Sequence, residues 1–165
     1  MSVKEKIEED LVSAMKNRKE LTLSVLRMLV AALRSRQTEK RTKCAKVGVA
    51  TEDLSRESEL TEDEVLETLR SEAKKRKDAI EGFEKGGRAD MAARERQELT
   101  VLGAYLPAEL SDAELHAMVS EALLATGAGT MKDFGKVMGR VMAQAKNRVS
   151  GDRVSAAVKE MLGAK

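Results

Sequence analysis

The sequence has no tryptophan, one tyrosine and two phenylalanines, so aromatic residues make up 2% of it. Strands favour aromatic and β-branched side chains, and stacking platforms for single-stranded bases need aromatic faces; neither is supplied. One cysteine, Cys44, excludes an intramolecular disulfide and fits a reducing compartment. Nothing near it activates a thiol, so it is not taken as a nucleophile. The one histidine, His116, lies beside Leu115 and Met118 with no pattern around it that would build a nucleophile–base pair. Paired Cys/His spacing for zinc, a Ca²⁺ loop, a phosphate loop ending in Gly-Lys-Ser/Thr and a dinucleotide glycine fingerprint are all missing. No catalytic residue, metal ligand or cofactor is assigned. The N-terminus, MSVKEKIEEDL, lacks the apolar centre of a signal peptide. The longest apolar stretch, Leu21 to Leu33, contains Arg27 and is shorter than the ~20 residues of a membrane span. A soluble, cytoplasmic protein with no membrane partner is expected.

What is present points to helices. Hydrophobic residues make up 42% and charged residues 35% of the 165 positions. Met, Leu, Ala, Glu, Lys and Arg dominate, all good helix formers, and the fold class is all-α. Ser2-x-x-Glu5, Thr61-x-x-Glu64 and Ser111-x-x-Glu114 each read as a capping box; Thr130 with Asp133 is a weaker version. A first helix spans about Val3 to Lys16, with Val3, Ile7, Leu11, Ala14 and Met15 inward. A second, central helix runs from about Glu20 to Thr38 and contains Arg27, read as a cation that snorkels outward or meets a carboxylate rather than as an anion contact.

Gln37 to Leu60 is polar and aperiodic; helix extensions could enter it, but an exposed, mobile loop is the expectation, with an insertion over about residues 42–58. A third helix starts at Thr61, with Leu66, Leu69, Ala73, Ile80 and Phe83 on its apolar spacing. Gly86-Gly87 makes the turn. A fourth helix returns with Ala92, Leu99, Leu102 and Leu106 inward and Glu95 on the same stripe. In such a hairpin Arg76 falls near Glu95 or Glu98, and an ion pair is expected there as a device that sets register. About four helices thus form an N-terminal domain over residues 1–106. Pro107 cannot continue a helix, and a three-helix domain is expected over residues 107–165.

Formal net charge is only +2 but unevenly placed. Leu106 to Ala128 holds four acidic residues and no Lys or Arg, whereas Gly129 to Lys165 holds eight Lys or Arg against Asp133, Asp152 and Glu160. Plotted as a helix, Met131 to Lys146 divides into two faces. Phe134, Val137, Met138, Val141, Met142 and Ala145 form an apolar stripe. Lys132, Lys136, Arg140 and Lys146 lie opposite, with Gly135, Gly139 and Ala143 between them. Arg148 follows in the turn before a last helix over Val154, Ala157, Val158, Met161 and Leu162. From charge alone a solvated helix face is the commoner reading. The small residues permit either close helix packing or close approach of an anionic chain, and the flanking cations favour the second. Gly127 and Gly129 precede a helix N-terminus, where an anion could bind; a plain inter-helix turn is preferred.

Four stretches resemble the stand-alone GatB/YqeY family of bacterial proteins: LSVLRML (Leu23 to Leu29), EAKKRKDAIEGFEKGGR (Glu72 to Arg88), AYLPAELSD (Ala104 to Asp112) and GTMKDFGKVMG (Gly129 to Gly139). They occur in order along nearly the whole chain, with an inserted stretch within Thr42 to Ser58. The resemblance implies an N-terminal helical bundle joined to a small three-helix domain. It also implies kinship with the tail of the B subunit of the tRNA-dependent amidotransferase, which helps to hold tRNA while the chemistry resides elsewhere. Carried onto this chain, the tRNA contacts are Lys132, Lys136, Arg140, Lys146 and Arg148, with Gly135 and Gly139. The family's Lys-Gly-Arg before the last helix is here Lys146-Asn147-Arg148.

Three functions are then weighed. The first is a tRNA-binding accessory module using the last two helices, with strong salt dependence and no DNA partner expected. The second is a helical protein–protein adaptor, for example to the amidotransferase or another translation protein, whose binding tolerates salt. The third is a component of a glutamine-dependent carbon–nitrogen ligase that acts only with partner subunits.

Overall fold

The computed structural model describes residues 1–145 and 148–163. Among the described residues the fold is all-α, with no strand. Its helices are α1 (Val3–Lys16), α2 (Glu20–Lys46), α3 (Leu54–Glu57), α4 (Glu62–Lys85), α5 (Ala89–Gly103), α6 (Asp112–Thr126), α7 (Phe134–Ala145) and α8 (Gly151–Gly163), with a 3-10 turn over Met131–Asp133. The chain divides into two compact units, Met1–Leu106 and Pro107–Lys165.

In the first unit, Ile7 of α1 meets Val25, Leu26, Leu29 and Leu33 of α2, Val65 and Leu69 of α4 and Leu102 of α5 in one apolar cluster. Burial of each such side chain stabilises by about 1.5–3 kcal/mol, which is what holds four charged helices together. Tyr105 closes the cluster after α5: its hydroxyl donates to Asp10 Oδ2 at 2.7 Å, and Lys6 Nζ sits 5.5 Å from its ring centroid. Burial, then the Asp10 carboxylate, push this phenol well above its ordinary range. Met15, expected inward, is 53% exposed, because Ala14 occupies the core position at the end of α1.

The largest departure from expectation lies in Gln37 to Leu60. α2 does not end near Thr38 but continues to Lys46, and α3 follows. The extension has no apolar period because it has almost no core to face. Its Lys, Arg, Glu and Ala residues supply intrinsic helix propensity instead. Thr38 and Thr42 turn their hydroxyls onto the carbonyls of Arg34 and Thr38, each at 2.9 Å. Lys40 Nζ donates to the Glu59 carbonyl and to Glu64 Oε2, both at 2.7 Å. That contact also lowers the Glu64 pKa, with the Thr61 backbone amide adding to it. Leu54 and Ser58 are buried, and Cys44 Sγ lies 3.8 Å from the Glu57 carbonyl.

α4 and α5 form the hairpin closed by Gly86 and Gly87, the latter at φ +70°, where a side chain would be strained. Val65, Leu69 and Ala73 are the buried residues of α4; Leu66, Ile80 and Phe83 are only partly covered. On α5 the buried set is Ala92, Glu98 and Leu102, while Leu99 is half-buried, so a carboxylate occupies a core position that the stripe assigned to leucine. Arg76 answers it. Its Nη1 lies 3.0 Å from Glu95 Oε2 and 2.9 Å from Glu98 Oε2, and its Nη2 lies 3.6 Å from Met28 Sδ. Glu98 Oε2 makes no hydrogen bond despite that distance, so its contact with Arg76 is an ion pair off the N–H direction.

The second unit packs α6, α7 and α8 around Leu115, Val119, Leu123, Val137, Val141 and Val158, among others. Ser111 and Glu114 form the capping box of α6, and Gly127, at φ +63°, ends it in the left-handed conformation.

Candidate nucleic-acid interface

α7 explains its own amphipathicity. Val137, Val141 and Ala145, four apart, are fully buried, and Phe134 and Met138 pack at the margin. Met142, placed on the apolar stripe by its spacing, is 37% exposed and belongs to the rim. On the other side Lys132, Gly135, Lys136, Gly139, Arg140 and Ala143 are all exposed. A Cβ on Gly135 or Gly139 would meet nothing within 4 Å, so among the described residues no helix packs closely on these glycines.

The start of this segment is capped from within. Asp133 Oδ2 accepts from the Gly129 and Thr130 amides, each at 3.2 Å, and from the Thr130 hydroxyl at 3.2 Å. The Gly129 amide first, then that of Thr130, lower the Asp133 pKa. The anion-accepting amides are therefore already taken by a carboxylate of the chain, which supports the plain-turn reading of Gly127 to Gly129.

The cations divide into two groups. Lys136 Nζ donates to the Thr126 carbonyl at 3.3 Å, at the negative end of α6. Lys132 and Arg140 have no such tether, and none of the three is in an ion pair among the described residues. Arg148 is placed differently. Its Nε donates to the Ala108 carbonyl at 3.2 Å, its Nη2 lies 3.6 Å from Glu114 Oε1, and its carbonyl accepts from the Leu110 amide at 2.8 Å. Arg153 does likewise, reaching Glu109 at 3.3 Å, the Leu110 carbonyl at 2.9 Å and Asp112 at 2.7 Å. Part of the charge asymmetry seen in the sequence is thus internal pairing: Glu109, Asp112 and Glu114, at and just before the start of α6, face Arg148 ahead of α8 and Arg153 in its first turn. No local spacing could reveal that, because the partners are about forty residues apart. Lys159 lies 5.8 Å from the Phe134 ring centroid, a cation–π contact. Lys146 lies outside the described residues. The open face is therefore Lys132, Lys136 and Arg140 with Gly135 and Gly139, on the 3-10 turn and α7.

This geometry predicts that Gly135→Ala and Gly139→Ala each stabilise the protein, by up to about 1 kcal/mol, since alanine is the better helix former and the added methyl meets no neighbour. Thermal melting of the two variants checks this; a loss of stability would mean that the glycines are needed for packing.

His116 is exposed, with Nε2 3.8 Å from Glu160 Oε2, and no cysteine or serine pairs with it. Among the described residues no cluster of His, Cys, Asp and Glu could hold a metal ion, and no helix is long and apolar enough to cross a membrane. No curated protein matches the sequence. Residues 4–162 match the family model described as Yqey-like protein, a span that takes in both units, and the chain therefore belongs to the Yqey-like protein family.

Proposed function

We propose that this protein is a tRNA-binding accessory module, akin to the tail of the tRNA-dependent amidotransferase B subunit, that contacts the RNA backbone through the face of α7. The observation that carries this reading is the open surface at Gly135 and Gly139, flanked by Lys132, Lys136 and Arg140, none of them in an ion pair among the described residues. Three cations around uncovered backbone suit phosphates, which need charge and close approach but no apolar seam. Arg148 supports the fold of the unit through Glu114 and Ala108, and it is left out of the contact set.

The test is titration of a fluorescent tRNA across a salt series, with the Lys132→Gln/Lys136→Gln/Arg140→Gln variant beside the native chain. Native binding should fall steeply with salt, and the variant's log–log slope should be smaller by about 2–3, from ~0.7–0.9 per lost phosphate contact. Equal slopes for the two proteins would remove α7 from the interface. A protein partner is the second reading, favoured by Leu124 and Met131, which are 82% and 52% exposed in the same unit. It predicts tRNA binding that is absent at every salt concentration.

A further inference from the structure

α2 carries another cationic face that the reading above does not use. Ser24, Arg27, Ala31, Arg34, Thr38 and Arg41 are all exposed and follow one another at spacings of three and four. The three arginines are thus seven residues apart. On a helix they stay on one side, drifting by only ~20° and rising by about 10 Å from each to the next.

Acids are few along this ladder: Glu20 and Asp90 line the cleft beside Ser24 at its first turn, and Glu8 lies in the cleft beside Arg34. No Asp or Glu stands three or four positions from Arg27, Arg34 or Arg41, where a solvated helix would place it. None of the three makes an ion pair or side-chain hydrogen bond among the described residues. Two other cations of α2 are paired: Arg36 lies 3.9 Å from Glu39 and 3.7 Å from Glu67, and Lys40 lies 2.7 Å from Glu64. Lys43 and Lys46, in the last turn, make no ion pair among the described residues. Glu8 of α1 lines the cleft beside Arg34 without an ion pair to it among the described residues, and Lys4 adds a further cation there.

The residues between the arginines decide what kind of partner fits. A docking helix needs an apolar seam at heptad positions, and Ser24, Ala31 and Thr38 do not make one. Thr38 even turns its hydroxyl inward, onto the Arg34 carbonyl at 2.9 Å. What remains outward is small and flanked by guanidinium groups, which pair bidentately with phosphate. Aromatic residues for stacking a single strand are absent from α2.

We infer that the Arg27–Arg34–Arg41 ladder is a second phosphate-contacting surface, for the backbone of double-helical RNA, carried by the first unit. This rests on the reading that the chain binds tRNA, and it adds residues that do not belong to the α7 face.

The experiment uses the full chain and the same tRNA titration between about 50 and 200 mM salt. Arg27→Gln/Arg34→Gln/Arg41→Gln should lower the log–log slope by about 2–3 and weaken binding at 0.1 M salt by at least about tenfold. Arg27→Lys/Arg34→Lys/Arg41→Lys should keep the native slope, because charge is retained. Circular dichroism melting confirms that both variants fold, as expected for exposed positions given to good helix formers. A Gln variant with native slope and affinity, alongside a weakened α7 variant, overturns this inference and leaves the α7 reading standing. A weakened α2 variant with an unaffected α7 variant does the reverse. A native chain that binds no tRNA at 50 mM salt overturns both.

Discussion

Arg76→Ala lowers the unfolding free energy of the first unit by about 3–5 kcal/mol, the loss expected when one partner of a buried ion pair is removed. The size of the effect comes from what stays behind. Glu98 keeps only 7% of its side chain exposed and Glu95 17%, and both carboxylates converge on the same guanidinium nitrogen. Without Arg76, Glu98 keeps among the described residues only Arg94, 3.5 Å away and 68% exposed. That contact is partly screened by water and cannot replace a buried cation. Chemical denaturation measures the loss. Glu98→Ala should cost more than Glu95→Ala, and a double-mutant cycle should give a larger coupling of Arg76 to Glu98 than to Glu95. Arg76→Ala at native stability would show that the cluster does not hold the α4–α5 hairpin in register.

Leu123→Ala and Leu124→Ala, adjacent in sequence, have opposite outcomes. Leu123 is 6% exposed and belongs to the core shared by α6, α7 and α8; its truncation costs about 2–5 kcal/mol from lost burial and the cavity left behind. Leu124 is 82% exposed, and its truncation changes stability by no more than about 0.5 kcal/mol. The second unit is small, so the first loss is a large share of what a domain of this size has to spare. Melting of the two variants, followed through the helical signal, separates them. Similar melting temperatures would mean that α6 does not face α7 and α8 as described.

Much of the architecture was legible because its causes are local. The Ser2, Thr61 and Ser111 capping boxes mark three helix starts, and in each the hydroxyl and carboxylate satisfy backbone amides three residues apart. Gly86-Gly87 marks a turn for the same reason. The four-residue spacing of Val137, Val141 and Ala145 identifies the buried face of α7, and hence its open one, because the helix repeat is a property of the backbone. The resemblance of four stretches to the GatB/YqeY family agrees with a family match over residues 4–162.

Other features were illegible because their causes are distant in sequence. The extension of α2 past Thr38 has no amphipathic period to betray it; Lys40 reaching Glu64, and Leu54 finding a buried position, are tertiary events. Glu98 rather than Leu99 became the core residue of α5, because Arg76 of the facing helix neutralises it there. Arg148 and Arg153, counted by composition with the open cations, pair with acids far earlier in the chain, Arg148 with Glu114 and Arg153 with Glu109 and Asp112. Composition and periodicity by themselves determined the fold class, the helix starts and the existence of a basic face, since each follows from neighbours within a turn or two of helix. Which cations stay open to a partner was decided only by the tertiary structure, because a charge is free or spent according to what folding brings within about 4 Å of it.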